Sequence, residues 1–410
     1  MTESNTNLVD AIYRLGSSNQ GSAETLVTRF FQLLLENDVP IDWAHASFSP
    51  QHPQLKRTVL HWTPNRSSVW GQPAVPIGLT RGPSTRRSPI KKLESRAVPH
   101  MRIRLTDDRQ QGRFVLTDEL ARAGHSEFFG MTIETGFGNP ATLCFSTMSP
   151  IGFSDQDIDC IKSACNRIEP FFQKEMWASL AKTLSVTYLG KDAGKRVLSG
   201  QISRGDVTKQ NAIVWFSDLR DSSRLAIETP DIQFIAELNT FFEVVGNSIQ
   251  PRGGQILKFI GDAVLGLFPI VDEMHEHAAS HAVEAALECL EKLEEINVGR
   301  VAAGKRPLRC GIGLHAGMVS YGNIGTPDRL DFTAIGATVN LASRIEALCK
   351  KQHELLLVSK AVADMCSSPL NSIGTFELDG HEGRFEIFGL PRDKVFEASS
   401  APMVIPPVLP

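Results

Sequence analysis

Residues 212–219 read AIVWFSDL and residues 253–268 read GGQILKFIGDAVLGLF. Ala212 to Phe216 is an unbroken apolar run, the signature of a strand buried on both faces, and it delivers Ser217 and Asp218 at its C-terminal end. The second stretch reads as a hairpin whose Gly261-Asp262 turn presents a second carboxylate. Two carboxylates brought together repel unless a divalent cation lies between them, and Mg²⁺ or Mn²⁺ with oxygen ligands is what phosphoryl chemistry requires. A strand-end aspartate taken alone also serves as a turn cap, so the neighbouring segments decide.

After Asp218 the chain reads LRDSSRL, which opens a helix with Ser222 and Ser223 near its start. Unsatisfied backbone N–H groups there favour anionic oxygens such as those of a phosphate. Residues 310–325, CGIGLHAGMVSYGNIG, read as a strand, a turn and a glycine-studded segment. Residues 331–350, DFTAIGATVNLASRIEALCK, lead from a strand through Gly336 into a helix whose buried face is Leu341, Ile345 and Leu348. Asn340 and Arg344 share a neighbouring face of that helix, either as an amide and a cation aimed at a ligand or as a solvated polar face.

The whole chain has 410 residues, 42% of them hydrophobic and 21% charged, with a formal net charge of -4. That length allows two or three domains, and the composition excludes a disordered polyelectrolyte and a globally basic nucleic-acid binder. Residues 1–200 hold 23 Lys and Arg against 19 Asp and Glu, whereas residues 201–410 hold 19 against 27, which implies two units with different surfaces. The longest apolar runs are short, such as Ala263 to Phe268, and the start MTESNTNLVD lacks a basic-then-apolar leader, so direct membrane insertion is not expected. Seven cysteines without a CxxC pair fit reduced thiols and a cytoplasmic protein.

The front half predicts a small α+β domain. Apolar residues Leu26, Phe30, Phe31 and Leu34 recur at helical spacing over Thr25 to Leu35, and strand-like segments follow at Ala44 to Phe48, Thr58 to Trp62, His125 to Glu134 and Ala141 to Thr147. Trp70 to Pro89 reads as a long loop. The basic set Arg81, Arg86, Arg87, Lys91, Lys92, Arg96, Arg102 and Arg104 is assigned no function, a solvated loop being its simplest account. The run ATLCFSTMSPIGFSDQDIDCIKSACNRIEPFF at 141–172 resembles the last strand and closing helix of GAF-type sensor domains. The resemblance spans residues 20–175 and implies a regulatory module for an unknown ligand or protein. Residues 176–204 read as a helical connector with breaks offered by Gly190 and Gly194, and the Pro-rich 393–410 as a disordered tail.

Four motifs, AIVWFSDL, GGQILKFIGDAVLGLF, GIGLHAGMVSYGNIG and FTAIGATVNLASRIEAL, stand in an order that resembles the catalytic domain of class III nucleotidyl cyclases, over residues 205–392. The resemblance implies an α+β, ferredoxin-like catalytic core preceded by the GAF-like domain. It further implies a head-to-tail homodimer with each active site built across the interface. Asp218 and Asp262 match the acids that hold two Mg²⁺ or Mn²⁺ ions per site. Lys258 and Thr333 match the purine-selecting positions in their adenine-selecting form, which implies ATP as substrate and cyclic AMP as product. Asn340 and Arg344 match the residues that orient ribose and stabilise the transition state, and Ser222 and Ser223 fall in the phosphate loop.

Two departures from the family pattern stand out. Asp379 occupies the position where a lysine usually holds the triphosphate, with Arg384 nearby, and Asp221 replaces a glycine of the phosphate loop. They keep a non-catalytic nucleotide-binding or signalling module open as the alternative, while Lys258 and Thr333 argue against a guanylate cyclase. His277 and His281, four apart with His275 nearby, lack a Glu or Cys to complete a recognisable metal set.

Overall fold

The computed structural model describes residues 3–18, 21–50, 55–71, 75–76, 88–271 and 275–391. Arg81, Arg86, Arg87 and the 393–410 tail lie outside them. The chain divides into two units, Met1–Leu184 and Ser185–Pro410.

The first unit runs α1 (Glu3–Ser18), α2 (Ala23–Glu36), β1 (Trp43–Phe48), β2 (Leu55–Trp62), β3 (Val75–Pro76), α3 (Pro89–Glu94), β4 (His100–Arg104), α4 (Val115–Arg122), β5 (Glu127–Ile133), β6 (Ala141–Thr147) and most of α5 (Asp155–Leu189), whose residues from Ser185 on belong to the second unit. Its antiparallel sheet has the order β3-β2-β1-β6-β5-β4. Alternation along the strands divides the side chains between two cores. Ala44, Ala46, Leu60, Trp62, Leu143 and Phe145 meet the apolar stripes of α1, α2 and α5. Met101, Ile103, Phe128 and Cys144 meet Ile90 and Leu93 of α3 on the other face. Helix α5 starts at a reciprocal cap: Asp157 N–H donates to Ser154 Oγ (3.1 Å) and Ser154 N–H to Asp157 Oδ2 (2.7 Å). Three of the basic residues that are described, Arg96, Arg102 and Arg104, serve internal ion pairs. Arg102 lies 2.9 Å from the buried Glu127 and 2.7 Å from Asp155, and Arg96 pairs with Glu134. All seven cysteines are free.

The second unit follows as α6 (Lys191–Leu198), β7 (Val207–Leu219), α7 (Ser222–Glu228), α8 (Asp231–Ile249), β8 (Gln255–Ile260), β9 (Ala263–Pro269), α9 (His275–Ala302), β10 (Cys310–Thr326), β11 (Arg329–Ile335), α10 (Ala337–Gln352), β12 (Leu356–Ser359), α11 (Lys360–Ala363), β13 (Asn371–Glu377) and β14 (Arg384–Gly389). Within it β7-α8-β8-β9-α9-β10 is a βαββαβ unit whose strands lie in the order β10-β7-β9-β8, all neighbours antiparallel. This is the ferredoxin-like arrangement, extended by β12, β14 and β13 on one side and by the β10–β11 hairpin.

From Ala212 onward strand β7 is buried on both faces, as its apolar run requires. Ile213, Trp215 and Leu219 pack with α8 and α9, while Ala212 and Val214 share the opposite core with Ala193 of α6, Tyr321 and Phe332. Trp215 Nε1 donates to Ser217 Oγ at 3.0 Å, so both buried polar groups are satisfied. The expected turn within residues 310–325 is absent: β10 is one strand of 17 residues. Its glycines make room for α10 instead. A Cβ at Gly313 would meet Glu346 N at 2.4 Å and Ala342 O at 2.6 Å, and one at Gly317 would meet Thr338 Oγ1 at 2.8 Å.

Candidate active site

Antiparallel register sets Asp218 opposite Ala263, so Asp262, the residue before Ala263, arrives beside Asp218 from the β8–β9 turn. Gly261 forms that turn with φ of 64°, a conformation that favours glycine. The Asp218 carboxyl is pushed up to about 6, first by burial and then by hydrogen bonding and repulsion from Asp262. Asp218 Oδ1 is buried and has no hydrogen-bond partner. An orphaned carboxylate oxygen next to a second acid is a site for a hard cation, so the residues fit Mg²⁺ or Mn²⁺. Among the described residues no cluster of three or more His, Cys, Asp or Glu could hold a metal ion. Two acids fit a site in which phosphate oxygens complete the coordination shell.

A buried ion pair underlies the acids. Arg220 Nη2 lies 3.1 Å from Glu346 Oε1, near the end of β7 and on α10 respectively. Burial raises the Glu346 carboxyl to about 7; Arg220 opposes that shift and the Asp218 and Asp262 charges add to it. Sequence reasoning missed this pair, since 126 positions separate its members and only folding joins them.

Lys258 lies elsewhere. It follows a register shift between Ile256 and Lys258 and lines a cavity of about 930 Å³ with Thr333, Asp331, Phe259 and residues 186–192. Neither Asp218 nor Asp262 is among the residues lining it. Lys258 Nζ donates to Asp331 Oδ2 at 2.8 Å. Asp331 was also missed, although it stands two positions before Thr333 on β11, where alternation puts both on one face.

Asn340 and Arg344 are exposed on a face of α10 that neighbours the buried Leu341, Ile345 and Leu348 face. Ser222 and Ser223 begin α7, and Asp221 before them is left-handed at φ of 56°. The turn that a glycine would make is thus made by an aspartate. Asp379 is exposed between β13 and β14, and Arg384 donates to Thr375 O within its own hairpin. His277 and His281 have ring centroids 6.2 Å apart and belong to no metal-holding cluster among the described residues.

Residues 206–391 match the family model described as "Adenylate and Guanylate cyclase catalytic domain". "Adenylate cyclase 1" of Rhizobium meliloti (strain 1021) is 29% identical over 198 residues, covering 47% of this chain and 29% of that protein. "Adenylate cyclase" of Anabaena cylindrica is 32% identical over 169 residues, covering 41% of this chain and 33% of that protein. The chain thus spans about a third or less of the length of these curated relatives. The solved adenylyl cyclase CyaB from P. aeruginosa aligns with a TM-score of 0.42 and 25% identity, over 46% of this chain and 98% of that one. With the four ordered motifs and the family match, residues 206–391 are a class III adenylate/guanylate cyclase catalytic domain. No helix among the described residues is long and apolar enough to cross a membrane.

Proposed function

We propose that the protein is a cytoplasmic adenylate cyclase that converts ATP to 3′,5′-cyclic AMP and pyrophosphate at a site shared by two copies of the chain. The observation that carries the reading is the separation of two half-sites. The acid pair Asp218–Asp262, with Asp218 Oδ1 unpartnered, and the cavity lined by Lys258 and Thr333 are distinct places on one chain, so a second copy would join the acids of one protomer to the cavity of the other. Exposed apolar side chains support that pairing. Ile227 and Ile232 are 85% and 86% exposed, and half-exposed Phe259 and Ile260 lie on the hairpin that ends in Asp262.

Asp218 and Asp262 would hold two Mg²⁺ or Mn²⁺ ions, which when bound supply acidification of the ribose 3′-hydroxyl and neutralisation of the triphosphate. Lys258 donates to adenine N1, an acceptor, whereas guanine N1 carries a hydrogen and would face the ammonium as a second donor. Thr333 offers a hydroxyl to the same base. Asn340 orients the ribose, and Arg344 offsets charge that develops at the α-phosphate during in-line attack. The N–H groups at Ser222 and Ser223 face phosphate oxygens. No covalent enzyme intermediate is required. The first unit, read as GAF-like, regulates this chemistry through an unidentified ligand or protein.

The test is cyclic AMP formation from ATP and Mn²⁺ by the purified full chain. A wild-type rate no higher than that of Asp262→Ala refutes catalysis. A non-catalytic nucleotide-binding module is the second reading, favoured by exposed Asp379 at the expected lysine position and by the committal of Arg384 to its own hairpin. ATP binding without turnover, with turnover appearing in Asp379→Lys, would select it. Turnover of GTP above ATP would select a guanylate cyclase instead.

A further inference from the structure

Arg220 follows Asp218 by two positions, and its backbone N–H donates to Arg309 O at 2.8 Å. The ladder between β7 and β10 therefore continues past Leu219, and alternation puts the Asp218 and Arg220 side chains on one face. Gly311 stands opposite Asp218 in that register. Having no side chain, it leaves the space in which Arg220 meets Glu346 of α10, the helix that also carries Asn340 and Arg344. Arg220 is thus a cation set between the acid pair and that helix.

Two carboxylates compete for it. Burial raises the Glu346 carboxyl; the charges of Asp218 and Asp262 raise it further, and those of Arg220 and Lys350 lower it. Arg220 also opposes the upward push that burial and Asp262 give Asp218. The guanidinium is therefore attracted toward Asp218 on one side and Glu346 on the other. Its Nη2 lies 3.1 Å from Glu346 Oε1, yet both atoms are buried and neither has an aligned hydrogen bond. The rest of the contact between α10 and β10 is close: Thr338 Oγ1 donates to Met318 O at 2.7 Å, and Gly313 brings the strand against the helix backbone at Ala342 and Glu346. The ion pair is the loose joint in a tight interface, because each buried polar atom left unsatisfied carries a cost.

We propose that Arg220 and Glu346 are positioning residues that tie the seating of α10 on β10 to cation charge held at the acid pair. The inference rests on the reading of Asp218 and Asp262 as a cation site. Positive charge at the acids cancels their pull on Arg220 and repels its guanidinium, so Glu346 is the partner that gains. An aligned, charge-assisted hydrogen bond closes the joint and draws down α10 with Asn340 and Arg344. The groups assigned to ribose and α-phosphate are then set in place by cation binding rather than before it.

The experiment follows hydrogen exchange of the α10 amides by mass spectrometry in EDTA and in saturating Mn²⁺, on the full chain without nucleotide, while electron paramagnetic resonance measures bound Mn²⁺. In the wild type, Mn²⁺ should slow exchange over residues 337–352 about tenfold more than over α9, the effect of one hydrogen bond between charged groups. The comparison with α9 removes the general stabilisation that any ligand confers. The double variant Arg220→Met/Glu346→Met replaces the pair by apolar side chains of similar length, a change that buried ion pairs tolerate. It should bind Mn²⁺ and show no gain specific to α10. Glu346→Gln, which keeps the volume and removes the charge, should cut the gain severalfold and decides the matter if the double variant does not fold. A wild type that binds Mn²⁺ with no gain at α10, or a gain that persists in these variants, overturns the proposal. Mn²⁺ binding that is the same in Asp262→Ala ends the reading of the acids as a cation site and this inference with it. Turnover does not enter the measurement, so a wild type that seats α10 but forms no cyclic AMP ends the cyclase reading alone.

Discussion

Arg220 Nη2 and Glu346 Oε1 meet at 3.1 Å in the space that a side chain at Gly311 would fill. A Cβ there would stand 1.8 Å from Nη2 and 2.6 Å from Oε1, so the glycine, the arginine and the glutamate form one packing unit below the acid pair. Glu346→Ala strands the Arg220 charge and should cost about 3 kcal/mol in chemical denaturation. Gly311→Ala should cost about 1–3 kcal/mol, because the atoms it displaces are side-chain ends. Gly313→Ala should cost more than Gly311→Ala, since it presses on helix backbone. The reverse ranking would mean that α10 is free to lift away from β10.

Activity and stability should move in opposite directions at the acid pair. Asp262→Asn removes a charge that repels Asp218, so metal-free protein should melt at a higher temperature at pH 8 while cyclic AMP formation falls by about 10²-fold or more. Differential scanning fluorimetry in EDTA and a cyclic AMP assay read the two effects. A lower melting temperature would show that the Asp262 carboxylate is already compensated.

The same pair sets a pH dependence. Asp218 titrates at about 6 in the fold, above the ordinary carboxylate value near 4 that applies when the chain is unfolded. The folded state holds more protons between these limits. The contribution of Asp218 to stability is therefore fully present below about pH 4 and is lost as pH rises through about 6. Metal-free wild type should lose melting temperature over this window relative to Asp218→Asn, and saturating Mn²⁺ should remove the loss. Parallel curves for the two proteins in EDTA would contradict the assignment.

Asp221 is left-handed at the entry to α7, with no side-chain cap hydrogen bond to offset the cost. Asp221→Gly should stabilise the protein by up to about 1 kcal/mol. Unchanged or raised cyclase activity is expected. A large loss would give the aspartate a role in substrate binding.

The sequence made the central strands legible because their burial leaves a local trace. Ala141–Thr147 coincides with β6, and Ala212–Phe216 falls within β7. The acid pair was legible for a similar reason, as one aspartate ends a buried run and the other occupies a hairpin turn. Residues 310–325 misled because glycine has two uses. Gly311, Gly313 and Gly317 lie in a stretch that reads as a strand, a turn and a glycine-studded segment, yet they serve close approach between a strand and the helix or ion pair above it. Connector residues 191–198 gave no sign that Ala193 would enter the core of the second unit, since that depends on the shape of the sheet beneath. The Arg220–Glu346 pair had no local trace at all, whereas Asp331 had one: strand alternation from Thr333 leads directly to it.

Lys258 and Asp262 are four residues apart on one hairpin, yet only Lys258 lines the cavity. On the proposed reading, a single loop of chain serves two reaction centres at once, contributing base recognition to one and cation binding to the other. Two variants inert by themselves, Lys258→Ala and Asp262→Ala, would then regain turnover when mixed, because one of the two centres in each hybrid receives only intact parts. Specific activity would also fall on dilution, which makes protein abundance a control on output before any signal reaches the first unit.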